Sequence, residues 1–448
     1  MLNDSILTKE KIDQFKRDFQ KTPNRQVLKH AIIKNGIKAV SLNNDVVINM
    51  QHTFSEEIKT GKATDQDSTG RCWLFAGLNT LRQKIADEYK IKDFELSQNY
   101  PMFWDKLEKA NYFFENIIET VEDDIYSRII MWLLYNPVQD GGQWDMFSNL
   151  IEKYGIVPKY MMPETFHSSK SHIMNRLLTL KLRENASILR KLFRDGKDIK
   201  ILKEKKSEML NEIYGMLVFF LGEPPTKFHF EYRDKDKNFH QDLNLTPQEF
   251  FQTYININLN DYASIINAPT EDKPYKKTYT VKYLGNVKGG KDVLYLNVDN
   301  KTLKQLTLSQ LKENIPVWFG CDVGQMMDSD QGIMDTELFL YEDALGTSFN
   351  LDKAGRLDYG ESLLTHAMVF TGVNLVDGKP NRWKVENSWG DKSGKDGYFV
   401  MGDKWFDEFN YQIVVHKKFL SDELKQSLAQ KPVVLPPWDP MGALALMR

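Results

Sequence analysis

The chain has 448 residues, 41% of them hydrophobic, enough to bury two or three cores. Its 59 basic and 62 acidic residues leave a net charge of −3, which excludes reading a nucleic-acid or membrane partner from charge alone. Two cysteines, Cys72 and Cys321, are too few for a disulfide scaffold and fit a reducing compartment.

The opening Met1-Leu2-Asn3-Asp4-Ser5 is polar and lacks the apolar core of a signal peptide. Residues 8–20 are predicted to form an amphipathic helix with Thr8 as N-cap. The run Gln66-Asp67-Ser68-Thr69-Gly70-Arg71-Cys72-Trp73 then delivers a cysteine, through a glycine turn, to the first turn of a second helix. Leu74, Phe75, Leu78, Leu81 and Ile85 give that helix its buried face. Residues 104–135 follow a helical pattern that Asn136-Pro137 ends. The glycine pair of Asp140-Gly141-Gly142-Gln143-Trp144 comes next.

Residues 171–221 are again helical and strongly charged. Their longest apolar run, 213–221, is far below the roughly 20 residues of a spanning helix. Thr246-Pro247-Gln248-Glu249 is a capping box with proline at the first helical position. Residues 279–298 predict a hairpin about Gly289-Gly290, with Thr280, Lys282 and Leu284 alternating on one arm and Val293, Tyr295 and Asn297 on the other. Residues 315–416 are sheet-rich. His366 opens one strand there, and Asn387 closes the next, after the polar connection 377–381.

A thiol at a helix N-terminus feels the positive end of the dipole, which favours the thiolate. Taken alone, such a cysteine is ordinarily a small buried apolar residue, and a lone histidine ordinarily structural. Neighbouring strands that bring His366 beside Asn387 change the reading. Thiolate, imidazolium and an amide oxygen that fixes the ring are the parts of a nucleophilic site. Gln66 and the Cys72 N–H would form a two-donor oxyanion hole. Trp389 would shield the His366–Asn387 bond. Cys321 is the rival nucleophile, but it lies in a predicted strand beside Asp322, which raises a thiol pKa. No His-x3-His or Cys/His cluster offers a zinc ligand set, so neither metal nor organic cofactor is expected.

Gln-x5-Cys-Trp, then His, then Asn-Ser-Trp-Gly resembles the papain-like cysteine protease pattern. Two departures stand out. The signature's preceding cysteine is missing, and Cys72 lies far further from His366 than the roughly 130–150 residues of papain. Both departures, with the tail Leu435-Pro436-Pro437-Trp438-Asp439-Pro440-Met441-Gly442-Ala443-Leu444-Ala445, resemble the bleomycin hydrolase and aminopeptidase C family. The resemblance implies an α+β fold of two halves with an inserted helical domain and a tail in the cleft. Residues 1–165 would form the N-terminal arm and the half carrying Cys72. Residues 166–300 would be the insertion with its hairpin, 301–420 the β-rich half, and 421–448 the tail.

The resemblance further implies a cytosolic cysteine aminopeptidase acting on peptides as a homohexamer. The catalytic residues would be Cys72, His366 and Asn387. Gly141 and Gly142 would line the cleft, and Arg448, among the three residues that follow Ala445, would bias the substrate subsite toward acidic groups. A thiol endopeptidase of the same family is the alternative. A nucleic-acid scaffold with an incidental peptidase site is the remote one. The basic residues between Arg190 and Lys206 do not favour it, since Asp195, Asp198 and Glu204 interleave them as on a solvated helix face.

Overall fold

The computed structural model describes residues 6–21, 24–91 and 93–445. Its backbone is one large mixed sheet with helices on both faces and a helical segment projecting from one side. Strands Val317–Cys321 and His366–Val376 sit at the sheet centre, antiparallel, with His366 opposite Cys321. Lys379–Glu386 and Tyr398–Gly402 continue the sheet to one side. Asn410–His416 and Tyr262–Ile266 continue it to the other.

Period-two alternation explains why both faces are covered. Ala367 and Val369 face the core that holds Cys72 and Trp73. Met368 and Phe370 face the opposite core, with Phe319, Trp383 and Phe406. The helix Cys72–Glu88 is buried along nearly its whole length against the first face. Trp318 reaches from the sheet to donate to the Trp73 carbonyl at 3.2 Å. Farther along the helix, Arg82 donates to Glu386 at 2.7 Å, both nearly fully buried. That pair ties the Cys72 helix to the residue just before Asn387. Removing one partner of a buried pair leaves an uncompensated charge, so loss of either Arg82 or Glu386 would be costly.

The helix expected over 104–135 is two helices, Asn99–Glu119 and Arg128–Tyr135. The break falls at an acidic turn, and Ser127 starts the second helix by accepting from Ile130 N–H. His172–Arg194 and Ile199–Leu221 form the predicted charged pair. Each buries one stripe: Met174, Leu178, Leu182, Ala186 and Leu189 on the first, Leu202, Met209, Ile213, Leu217 and Leu221 on the second. Part of their basic face is paired with acidic residues, as in Lys205–Glu208 and Lys206–Glu115. Arg190 departs from that reading: it is buried and donates to the Thr120 and Asp123 carbonyls.

The expected hairpin over 279–298 is corrected. Thr278–Val281 and Tyr295–Asn297 do pair, but through a long connection rather than a tight turn, and both belong to the main sheet. The helical segment's own hairpin is Phe228–Arg233 with Phe239–Leu245. It lacks a glycine turn signal, which is why the sequence pattern did not show it. The capping box at Thr246 is present, with both reciprocal bonds.

The tail returns to this same edge. Val433–Leu435 pairs parallel to Thr278–Val281. Asp439 and Lys273 form a buried ion pair at 2.9 Å, and Tyr295 Oη donates to the Met441 carbonyl at 3.1 Å. Arg128 stacks 3.6 Å from the Trp438 ring centroid. Among the described residues, no helix is long and apolar enough to cross a membrane.

Candidate active site

Cys72 is the first residue of its helix, and Arg71 ahead of it makes no side-chain cap. The first-turn N–H groups are therefore left for other partners. The N–H groups of Cys72 and Trp73 turn toward the Cys72 sulfur, and so does that of Ala367. Ala367 follows His366 directly, so the thiol sits at the opening of the His366 strand.

His366 Nε2 lies 2.8 Å from Asn387 Oδ1. The Ser388 N–H donates to the same oxygen at 2.8 Å, which fixes the amide's orientation. With an acceptor before it, Nε2 must carry the proton, leaving Nδ1 unprotonated in the neutral ring. Trp389 lies over this bond, its ring 4.9 Å from that of His366 and tilted by 36°. His366 and Asn387 are both buried. The Asn387 side-chain nitrogen has no partner among the described residues.

Gln66 is also brought here. Its N–H donates to the Ser388 carbonyl at 2.9 Å, pairing the two segments as short strands do. Ser388 Oγ donates to Gln66 Oε1 at 2.6 Å, and Gln66 Nε2 donates to the Thr69 carbonyl at 2.6 Å. One amide hydrogen is thus engaged, which the sequence did not indicate, and the other remains. Ser388 was visible in the Asn-Ser-Trp-Gly run but drew no assignment. Its hydroxyl is what holds the Gln66 amide the right way round.

The electrostatics correct one expectation. The helix N-terminus does not by itself make Cys72 acidic. Burial pushes the thiol up to about 11, against the pull of the three N–H groups. Burial likewise pushes His366 down to about 4, against the Asn387 bond. Each charge formed alone is disfavoured in this site. A proton passed from sulfur to imidazole would form both charges at once, and opposite charges attract, which would act against both penalties. Cys321 is fully buried, with its thiol raised by desolvation first and by Asp322 next.

Gly141 and Gly142 are buried beside Trp73. The Gly141 carbonyl accepts from Lys109 at 2.6 Å, so it faces inward and not the cleft. A Cβ on Gly142 would stand 2.6 Å from the Trp73 ring, which explains the glycine by packing alone. The Gly142 N–H and carbonyl have no partner among the described residues. Pro437 and Gly442 of the tail share a cavity of about 70 Å³ with Lys109 and Gln139, at the edge of the glycine pair. Arg448 lies outside the described residues. Among the described residues no group of three or more His, Cys, Asp or Glu is placed to hold a metal ion.

Comparison with known proteins completes the picture. The family model described as "Peptidase C1-like family" matches residues 6–442. The aminopeptidase C of Listeria monocytogenes is 54% identical over 440 residues, covering 98% of this chain and 99% of its own. The aminopeptidase C of Lactobacillus helveticus is 46% identical, covering 98% of each. The crystal structure of PepW from Lactobacillus rhamnosis is similar with a TM-score of 0.97 at 56% identity, over 98% of this chain and 99% of that one.

Proposed function

The chain belongs to the Peptidase C1-like family, among the cysteine aminopeptidases of papain-like fold, and we propose that Cys72 is its nucleophile, His366 its acid–base and Asn387 the residue that orients the ring. The observation that carries this is the convergence on Asn387 Oδ1, where His366 Nε2 and Ser388 N–H meet, with the Ala367 N–H that follows His366 favouring the Cys72 thiolate.

The reaction on a peptide runs in two halves. Cys72 sulfur, having passed its proton to His366, bonds to the scissile carbonyl carbon, and the C=O pair moves to oxygen. The Cys72 N–H and the remaining Gln66 amide hydrogen hold that oxyanion. The C–N bond then breaks, and the leaving amine takes the proton from His366. Water, deprotonated by His366, adds to the thioester. The acid leaves, and Cys72 regains its proton. The Gly142 N–H and carbonyl are the backbone edge offered to an extended substrate.

The tail makes this an exopeptidase. Anchored at Asp439 and Met441, it enters beside the glycine pair and closes the cleft beyond one substrate residue. A cleft closed in this way would accept a substrate with a free α-amino group and exclude a blocked one. The endopeptidase and nucleic-acid alternatives are not favoured, since the curated relatives reported above are aminopeptidases. Residence in the cytoplasm is part of the same proposal, supported by two cysteines that are both free.

Cys72→Ala is expected to lower hydrolysis of a free-amino aminoacyl fluorogenic substrate by at least roughly 10⁴-fold. Retained activity in that variant, with loss in Cys321→Ala, would move the nucleophile to Cys321. A homohexamer is also proposed. Ile173, Leu177 and Leu180 on one helix, with Met131 and Tyr135 nearby, remain exposed in the single chain and suit burial against further copies. Sedimentation equilibrium should give six times 52.2 kDa. A single-chain mass would contradict the proposal.

A further inference from the structure

We infer that Asp140 is a positioning residue for the nucleophile, through which the inserted helical segment seats the loop that carries Cys72. The inference rests on the reading of Cys72 as nucleophile and goes beyond it to what holds Cys72 in place.

Asp140 touches the chain on both sides of Cys72. Its Oδ2 accepts from the Gly70 N–H at 3.1 Å, and its backbone carbonyl accepts from Trp73 Nε1 at 2.7 Å. The carboxylate is fully committed. Ser171 Oγ also donates to Oδ2, while Lys106 Nζ, at 2.6 Å, and Asn175 Nδ2, at 2.8 Å, donate to Oδ1. Asp140, Lys106 and Ser171 are all buried. Ser171 and Asn175 lie at the start of the helix His172–Arg194, the first long helix of the insertion.

Neighbouring contacts repeat the pattern. The Ser68 N–H donates to the Ser169 carbonyl at 3.0 Å. Arg71 grips Glu164 with two bonds, at 3.2 and 2.9 Å, and Ser168 donates to the same carboxylate. Residues 68, 70 and 71 are thus all held by the segment 164–175, directly or through Asp140.

This clamp answers a local need. The Cys72 helix begins without a capping side chain, yet its first N–H groups must stay aimed at the sulfur and the oxyanion. The Leu74 and Phe75 N–H groups bond the Arg71 carbonyl, but no side chain caps the Cys72 and Trp73 N–H groups, so the further restraint comes from outside the helix. The charge of Asp140 does not help the chemistry, because a carboxylate opposes a thiolate at Cys72. Lys106 neutralises it. What Asp140 supplies is geometry.

Asp140→Asn replaces one acceptor oxygen by a donor and must lose at least the Gly70 or the Lys106 bond, since neither of those donors can accept. The glycine pair stays held in that variant, because Lys106 still donates to the Val138 carbonyl, Lys109 to those of Gln139 and Gly141, and Trp73 to that of residue 140. A purely structural loss would disturb binding and turnover together. A positioning loss falls on turnover. Steady-state kinetics on a free-amino dipeptide should therefore show kcat at least roughly tenfold lower with KM within about twofold of wild type.

If Asp140→Asn does not fold, Ser171→Ala with Asn175→Ala tests the same link while keeping the ion pair. It is expected to lower kcat by roughly three- to tenfold at unchanged KM. Wild-type kcat in a folded variant, or kcat and KM changing in parallel, would overturn the inference. An inactive Cys72→Ala beside a fully active Asp140→Asn would sink the positioning role alone. An active Cys72→Ala would instead sink the nucleophile reading beneath it.

Discussion

His366→Ala is expected to lower kcat/KM by roughly 10³- to 10⁴-fold and to silence Cys72 toward iodoacetamide at neutral pH. The reason is the balance of burial against pairing. Alone in its site, the Cys72 thiol is pushed up to about 11. A raised thiol pKa means that thiolate appears only as pH climbs toward that value. In the wild type the imidazole takes the proton, and the two charges appear together at lower pH. Without the imidazole, only burial and the three N–H groups act on the sulfur. The pH profile of Cys72 alkylation, followed by mass spectrometry, should then shift to distinctly alkaline pH in the variant. An unchanged profile would mean that the thiolate owes nothing to His366, and the ion-pair account would fail.

Removal of the tail beyond Pro440 is expected to open the enzyme to substrates with a blocked amino group. The tail is no loose terminus. Leu435, Met441 and Ala443 are buried, and Asp439 is held by Lys273 at 2.9 Å with both side chains nearly fully buried. A tail so anchored would leave room for a free amino group and not for a blocked one, a difference of about 1–3 kcal/mol, or roughly 5- to 150-fold in rate preference. The truncated chain should lose that preference for a free amine, and its rate on an N-acetylated peptide should rise at least roughly tenfold. Asp439→Ala, which leaves Lys273 with the exposed Asp272 alone, should move in the same direction by less. No gain on blocked peptides in either variant would mean that the tail does not set the exopeptidase limit.

Much of this was legible in the sequence because it is written in short-range patterns. The Cys72 helix shows its buried face at helical spacing, and the strand that opens with His366 alternates between two cores. The connection between the His366 and Asn387 strands carries turn residues, so their adjacency follows. What was not legible depends on long-range burial. The break at residues 120–127 is a cap and an acidic turn inside a helical pattern. The hairpin read over 279–298 is sheet whose partners include the distant tail. Helix position suggested an acidic thiol, whereas the depth of the site raises it. Lys106 and Lys109 carry no sign of burial in the sequence, yet they lie buried near the glycine pair, paired with Asp140 and Asp105.

The most direct test compares a free-amino aminoacyl substrate with its N-acetylated form on the intact wild-type chain, with Cys72→Ala as blank. The account predicts rapid hydrolysis of the free-amino substrate and background rates on the blocked one, with both signals absent from the blank. Equal hydrolysis of the two by the intact chain would contradict it, because the proposed closure of the cleft by the tail would leave no room for the acetyl group.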